Sequence, residues 1–244
     1  MSPGVPSRSS VDPSPPSLDL REAPNYRITE ASRYLGVPIS TIRWWTFGHS
    51  YRIVGGEKTA QPVILAASRR PPLLSFINLV ELHVLEGIRH DYRIPLPKVR
   101  SAVHYVTRHF KSRHPLAEER FVTDGISLLL ERFGLLINVS QEGQLAIREV
   151  LLTHLERIER DEKGFALQLY PFTRSSHGNS PRLIVIDPRI GFGRPVLRNT
   201  GIATSTIAER YKAGESINDL SDDYGRPSAE IEEAVRCELH LDAA

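Results

Sequence analysis

The chain has 244 residues, a length that accommodates one large domain or two to three small ones. Hydrophobic residues make up 40% of it and charged residues 25%. No stretch approaches the ~20 consecutive apolar residues of a membrane-spanning helix, which excludes a transmembrane protein. The N-terminus lacks the apolar run of a secretory signal, and the single Cys237 excludes an internal disulfide, zinc fingers and iron–sulfur clusters. These features predict a cytoplasmic protein with no membrane partner.

The formal charge of +2 comes from 31 basic and 29 acidic residues that are spread unevenly along the chain. Residues 1–70 contain nine Lys or Arg and five Asp or Glu, whereas residues 181–244 contain eight and eleven. This distribution indicates a polyanion as partner of the N-terminal part and a different, basic partner for the C-terminal part. Because both excesses are small, a chance distribution is the alternative.

Four segments can be distinguished along the chain. Residues 1–24 contain six of the eighteen prolines and show no apolar periodicity, which predicts a disordered tail. Residues 25–70 combine a helical pattern with a Gly-containing hairpin pattern. We expect residues 71–174 to form a central dimerisation scaffold, and residues 181–244 to form a distinct last module after the polar segment TRSSHGNSP.

The central segment begins with an apolar stretch from Pro72, LLSFINLVELHVLEGIRHDY, whose spacing predicts one long helix. The segment PKVRSAVHYVTRHF predicts a second helix, and we expect residues 73–110 to form an antiparallel pair that also builds a homodimer. Between Phe121 and Phe172, short β-rich runs (FVTDG, ISLLLE, GLLINVS, FALQLYPF) predict small strands around one helix, REVLLTHLERIERDEK. The expected fold class is mainly α with small β elements (α+β).

The segment YRITEASRYLGVPISTIRWW has the layout of a helix-turn-helix. Thr29 is a candidate N-cap for a first helix starting at Glu30, and Gly36 permits the sharp turn that follows. In the second helix, Ile42 and Trp45 point inward because they are three residues apart. This helix would enter the major groove of DNA with its outward side chains, Ser40, Thr41, Arg43 and Trp44.

The next residues, YRIVGGEKTAQPVIL, predict a β-hairpin turning at Gly55-Gly56, with Arg52 and Lys58 near its tip as a basic wing. Pro38 leaves the start of the second helix open, and a helical hairpin that only packs in a core is the alternative interpretation. Residues 26 to about 90 resemble the winged helix-turn-helix of MerR-type regulators, which implies operator double-stranded DNA as a partner. The matching residues are Glu30-Ala31, Gly36-Val37 and Thr41-Ile42-Arg43-Trp44-Trp45.

The last module opens with the strand LIVID and continues as three short helices around a Gly turn. Its expected exposed faces are acidic and would repel DNA phosphates, which favours a protein-binding role. These acidic residues are Asp219, Asp222, Asp223, Glu230, Glu232 and Glu233.

The same segment resembles a bacterial C-terminal module found in VapB-like antitoxins that are encoded beside PIN-like ribonuclease toxins. This resemblance implies a type II toxin–antitoxin function with a PIN-like toxin as partner. The matching residues are Ile186-Asp187-Pro188-Arg189, Gly193-Arg194-Pro195-Val196, Thr200-Gly201-Ile202, Ala213-Gly214-Glu215-Ser216 and Leu220-Ser221-Asp222-Asp223-Tyr224-Gly225.

PIN-like ribonucleases hold magnesium with carboxylates, so a guanidinium of the antitoxin could occupy that acidic site. Arg194 and Arg198 are the candidates, and Asp222 and Asp223 would meet a basic rim of the toxin. The alternative is that both arginines pair with carboxylates of their own module.

The sequence gives little support for an enzyme. Nine histidines are present, but no HExxH motif, GxSxG elbow or Walker loop occurs, and no cofactor or metal site is expected. The histidines between His83 and His114 are expected on exposed helix surface. Two alternatives stay open: a MerR-like regulator with a small-molecule pocket in residues 121–172, and a metal-dependent nuclease using Asp187, Glu209 and Asp223.

Overall fold

A computed structural model describes residues 19–54, 56–89, 94–137, 139–174 and 180–239. Within these ranges the chain is mainly α-helical with short antiparallel strand pairs, as the sequence predicts. The expected disordered tail lies almost entirely outside them, so its disorder stays a prediction. Among the described residues, no helix has both the length and the apolar composition needed to cross a bilayer.

The N-terminal module contains two short helices and a hairpin in the predicted order. Its elements are β1 (Tyr26–Arg27), α1 (Ile28–Leu35), α2 (Ile39–Phe47), β2 (His49–Ile53) and β3 (Gly56–Ala60). Gly36 ends α1 in the left-handed conformation with a φ of 67°, which confirms the predicted turn. The prediction of Thr29 as the N-cap of α1 is wrong. The N-cap is Arg27, whose backbone N–H donates to the Glu30 carboxylate at 2.8 Å and so fixes the helix start earlier.

A small sheet closes this module. Its added strands are β4 (Ser68–Arg69) and β5 (Pro72–Leu74), and the strand order is β1-β5-β4. The sequence places Pro72 at the start of a helix, which is wrong because residues 72–74 pair with β1, with Leu74 opposite Tyr26. The Asn78 side chain then accepts hydrogen bonds from the backbone N–H groups of Ala67 and Ser75 at 2.9 and 3.1 Å. These bonds hold the turn that precedes the first central helix.

The central part contains four helices and a further strand pair. The elements are α3 (Phe76–Arg89), α4 (Leu96–Phe110), a π-helical turn (Phe121–Gly125), α5 (Ile126–Ile137), α6 (Gln141–Leu155), β6 (Ile158–Arg160) and β7 (Ala166–Leu169). α3 packs mainly on α6, and α4 packs mainly on α5. The expected antiparallel pair of α3 and α4 is therefore replaced by two pairs of helices that lie farther apart in sequence.

The strands predicted between residues 121 and 137 are wrong, since this whole stretch is helical. Its buried side chains recur at helical spacing, and they are Ile126, Leu129, Leu130 and Phe133. The Asp124-Gly125 pair, which has the composition of a turn, lies instead in the π-helical turn. A Cβ at Gly125 would lie 2.4 Å from the ring of Phe121, so glycine is required by close packing within the helix. The strand prediction at FALQLYPF is confirmed by β7.

α3 is enclosed by the chain itself. Twelve of its fourteen residues are buried, and Leu79, Leu82 and Leu85 have no exposed surface. The apolar composition that suggested a dimer interface is thus explained by burial within one chain, and α3 is not accessible to a second copy. His83, expected on exposed helix surface, is also buried, with its Nε2 3.0 Å from the carbonyl oxygen of His154.

The C-terminal module has the predicted strand followed by three helices. Its elements are β8 (Ile184–Val185), a 3-10 turn (Gly191–Gly193), β9 (Val196–Leu197), α7 (Thr204–Lys212), α8 (Ile217–Tyr224) and α9 (Ser228–Leu239). Ser216 caps α8 by accepting from the backbone N–H of Asp219 at 3.1 Å, and Gly225 ends it with a φ of 59°. A separate small core joins the three helices through Ile207, Leu220 and Ile231.

Candidate functional site

Helix α2 exposes the face that the sequence assigns to DNA contact. Ile42 and Trp45 are buried, as predicted. Pro38 is the N-cap, with a φ of −55°, so the start of the second helix, which the sequence leaves open, lies at Ile39. The outward face carries exposed Ser40, Arg43 and Trp44 and half-buried Thr41.

An aromatic ladder joins α2 to the hairpin of β2 and β3, which we call the wing. The ring of Trp44 stacks on His49 with centroids 5.0 Å apart, and His49 lies 5.5 Å from the ring of Tyr51. Gly48 connects the two elements, with a φ of 73° that favours glycine. The wing is therefore held at a defined position beside the outward face of α2.

The positively charged side chains on α2 and the wing have no carboxylate partner in the described parts of the chain. Arg52 and Lys58 are exposed on the wing, on strands where Arg52 is opposite Glu57 and Lys58 is opposite Tyr51. None of Arg43, Arg52 and Lys58 forms an ion pair with a described residue, whereas many arginines elsewhere, Arg21 and Arg210 among them, are paired with carboxylates. Unpaired cations on a winged helix-turn-helix are suited to contact phosphates.

A basic stripe on α4, absent from the predicted site, extends this surface. Arg100, His104 and Arg108 are four residues apart and share one face of the helix. Arg100 lies within electrostatic range of Tyr51 on the wing. Partial burial, followed by the positive charge of Arg100 and Arg108, lowers the pKa of His104 below its usual value. The spacing of the three residues in PKVRSAVHYVTRHF is the signal that could have identified the stripe.

The acidic residues of the C-terminal module differ in their surroundings. Glu233, expected to be exposed, is fully buried. Its carboxylate accepts from Arg174 Nη2 at 2.7 Å and from the Thr173 hydroxyl, which satisfy the buried charge. Asp223 is exposed and accepts from Arg210 Nη2 at 2.5 Å. The Asp222 carboxylate is exposed and has no partner among the described residues. Only part of the expected acidic face is therefore free to meet another protein.

The two candidate plug arginines are engaged within the chain. Arg194 forms an ion pair with Glu30, and hydrogen bonding to Tyr34 is the main cause that raises the pKa of Arg194. The guanidinium of Arg198 lies 5.4 Å from the ring centroid of Tyr170. The structure thus places Arg194 against α1 of the N-terminal module, and it does not gather the four predicted toxin-contact residues into one cluster.

The contact between the N-terminal and C-terminal modules includes two more polar pairs. Arg33 Nη1 lies 3.1 Å from the Glu238 carboxylate, which is itself nearly buried. The Asn25 side chain donates to the carbonyl oxygen of Phe192 at 2.8 Å. Since these pairs join residues more than 160 positions apart, no local pattern in the sequence indicates them.

Asp187 and Asp223, two of the three groups considered for nuclease chemistry, form ion pairs with arginines of the chain. Asp187 is buried and accepts from Arg189 Nη2 at 2.6 Å and Gln168 Nε2 at 2.9 Å. Within the described ranges, no three His, Cys, Asp or Glu side chains are arranged to hold a metal ion. Burial raises the pKa of the Cys237 thiol, which disfavours the reactive thiolate.

Two family models match this chain, one in its N-terminal part and one in its C-terminal part. Residues 24–103 match the family model described as “Putative DNA-binding HTH domain”. Residues 184–236 match the model described as “Protein of unknown function (DUF433)”. The N-terminal part of the chain carries a helix-turn-helix domain. The matched range extends through α3 into α4, so it includes the first residue of the basic stripe, Arg100.

Two relatives from Mycobacterium tuberculosis span most of the chain. The protein named “Putative antitoxin VapB45” is 27% identical over 235 residues, covering 89% of this chain and 95% of the relative. A second, named “Uncharacterized protein Rv2308”, is 26% identical over 218 residues, covering 86% and 88%. The crystal structure of Rv2018 from the same organism superposes with a TM-score of 0.61 at 22% identity, covering 87% of this chain and 98% of that one. The fold is therefore shared over nearly the whole length.

Proposed function

We propose that the chain is the antitoxin of a type II toxin–antitoxin system, which binds operator DNA and neutralises a PIN-like ribonuclease. The single observation that supports DNA binding best is the exposed, unpaired set Arg43, Arg52 and Lys58 on a helix-turn-helix and its wing. The similarity along nearly the whole chain to a relative named as an antitoxin supports the toxin-binding half of the proposal.

In the proposed complex, α2 lies in the major groove and the wing lies along the neighbouring backbone. Arg43 is exposed beside Thr41 and Ser40, so it can reach a guanine edge or a phosphate. The wing cations then contact phosphates, and the stripe on α4 adds positive charge next to the wing. This division matches the general pattern in which phosphate contacts position a protein and base contacts specify the sequence.

The C-terminal module is the proposed toxin-binding part. It is acidic on α8, where Asp222 has no partner among the described residues, and together with Asp223 it would face a basic rim of the toxin. Arg194 and Arg198 remain the candidates for entering the acidic site of the nuclease. Each would exchange its present partner, Glu30 for Arg194 and Tyr170 for Arg198, for a carboxylate of the toxin.

The DNA-binding proposal is tested by a gel-shift titration with the DNA upstream of the gene. Arg43→Ala should lower the affinity by about 1–3 kcal/mol if Arg43 contacts a base, or reduce the salt dependence by about one phosphate contact. Arg182→Ala is the matched control, because Arg182 is a similarly exposed arginine in the C-terminal part. Equal affinity and equal salt dependence for wild type and Arg43→Ala would contradict the proposed binding surface.

A second candidate function, a regulator that responds to a small molecule, is favoured by one observation. A groove of about 640 Å³ lies between α5 and α6, within the residues where such a regulator would need its pocket. Mass spectrometry of the purified chain under native conditions distinguishes the two functions. A bound small molecule that lowers DNA affinity would support the regulator, whereas toxin binding with an empty groove supports the antitoxin.

A further inference from the structure

The groove between α5 and α6 is bordered by leucines that the chain leaves uncovered. Leu135 on α5 is 73% exposed, Leu145 on α6 is 61% exposed, and Leu152 continues the same face of α6 two turns further on at 37%. Leu130 forms part of the floor. Large apolar side chains left in water do not contribute the stabilisation that their burial would provide. A cluster of this kind is typical of an interaction surface.

The charged residues of the groove also lack oppositely charged partners among the described residues. Glu131 on the α5 side is exposed and has no ion-pair partner among the described residues. Arg148 on the α6 side donates from Nη2 to the Ser127 hydroxyl at 2.9 Å, and no described carboxylate pairs with it. The two walls therefore present one negative and one positive group that are available to a partner.

Such a surface is complementary to itself. In a two-fold arrangement, the same patch is used by both subunits, so α5 of one subunit faces α6 of the other. Glu131 would then meet Arg148 of the second copy twice, once on each side of the axis, and the leucines would cover one another.

We propose that the groove between α5 and α6 is the surface on which a second copy of this chain docks. The inference rests on the proposed DNA-binding function in one respect, since a helix-turn-helix protein commonly reads two half-sites as a dimer. It also gives the dimer a contact surface other than α3, which is buried and not accessible to a second copy. The central part thus provides the dimer contact through α5 and α6.

The first test is sedimentation equilibrium of the full chain at micromolar concentration without DNA. Wild type should be a dimer, and Leu145→Glu should raise the dissociation constant on the order of 100-fold, because the new carboxylate is buried twice in a two-fold interface. Leu65→Glu is the matched control, since Leu65 is 51% exposed outside the groove, and it should leave the dimer unchanged. A monomeric wild type, or a Leu145→Glu variant that dimerises as wild type does, overturns the proposal.

The second test is a charge exchange. Glu131→Arg and Arg148→Glu should each weaken the dimer, and the double variant should restore it, because each Glu–Arg pair is rebuilt with reversed polarity. Both positions are at the surface, and circular dichroism checks that each variant folds. A double variant weaker than both single variants contradicts the paired arrangement. If Leu145→Glu instead keeps the dimer and loses binding of the toxin or of a small molecule, the groove belongs to that partner and the dimer proposal is wrong.

These outcomes are independent of the DNA-binding proposal. Dimerisation is measured without DNA, whereas the Arg43→Ala titration measures DNA affinity directly. A dimer that does not bind DNA would refute the proposed function and leave the groove assignment intact. Binding of a DNA half-site by a monomeric wild-type chain would support the DNA-binding proposal and refute the groove assignment.

Discussion

Replacing Gly48 with alanine is expected to disturb the junction between α2 and the wing. Gly48 has a φ of 73° and a ψ of −175°, a backbone conformation that is essentially restricted to glycine. An alanine Cβ at this position would lie 2.2 Å from the carbonyl oxygen of Ala60 and 3.3 Å from the backbone nitrogen of Pro62. Both neighbours are backbone atoms, so no side-chain rotation relieves the overlap.

The free energy of unfolding should fall by about 2–6 kcal/mol. Roughly 1–3 kcal/mol comes from holding a non-glycine residue in this conformation. A further ~1–3 kcal/mol comes from the overlap with the Ala60 oxygen. If β3 shifts instead to make room, part of this destabilisation is avoided, but the wing then moves relative to α2. In that case DNA affinity falls, although Arg43, Arg52 and Lys58 are unchanged.

Urea denaturation and gel-shift titration of Gly48→Ala measure both effects. Gly201→Ala is the control, because a Cβ at Gly201 meets nothing within 4 Å. Its stability should stay within about 0.5 kcal/mol of wild type. A Gly48→Ala variant with wild-type stability and wild-type DNA affinity would refute the reasoning about this junction.

Three further predictions concern other parts of the molecule. Leu82→Ala should lower the free energy of unfolding by about 2–5 kcal/mol in urea denaturation, because Leu82 has no exposed surface; a loss below ~1 kcal/mol would contradict the packing of α3. DNA affinity should rise as the pH falls below about 6.5, the usual pKa of histidine, since the pKa of His104 is lowered in the free protein and a nearby phosphate favours its protonated form. Titrations at several pH values should show a weaker pH dependence for His104→Gln, and an unchanged profile would exclude His104 from the interface. Arg194→Ala should change stability by less than about 1 kcal/mol, because the Arg194 side chain is half exposed and Glu30 keeps its hydrogen bond from the backbone N–H of Arg27. A large loss of toxin affinity in a pull-down would identify Arg194 as the plug.

The helix-turn-helix and the three C-terminal helices could be predicted because their signals are local. Gly36 ends α1 and Gly225 ends α8 through left-handed backbone conformations. Ser216 caps the start of α8 by bonding to a residue three positions further on. The inward face of α2 follows from the spacing of Ile42 and Trp45. Such features depend on residues that are close in sequence, and sequence patterns therefore indicate them directly.

The central part was less predictable because its structure depends on distant contacts. The run FVTDGISLLLERFGLLI consists of short apolar clusters separated by polar residues and glycines, so periodicity alone did not separate a buried helix from strands. The contact of Arg194 with Glu30 and that of Arg21 with Asp161 join residues 164 and 140 positions apart. No spacing rule indicates such pairs, and the uncovered groove between α5 and α6 follows only from the arrangement of these helices.

The most direct test of the antitoxin proposal is a titration of ribonuclease activity. The nuclease encoded by the neighbouring gene is incubated with an RNA substrate and increasing amounts of the full chain, and the cleavage rate is measured. Cleavage should fall to the background level when the two proteins reach a fixed stoichiometric ratio, as expected for tight binding that blocks the active site. Cleavage that continues at the full rate in an excess of the chain would contradict the proposed function.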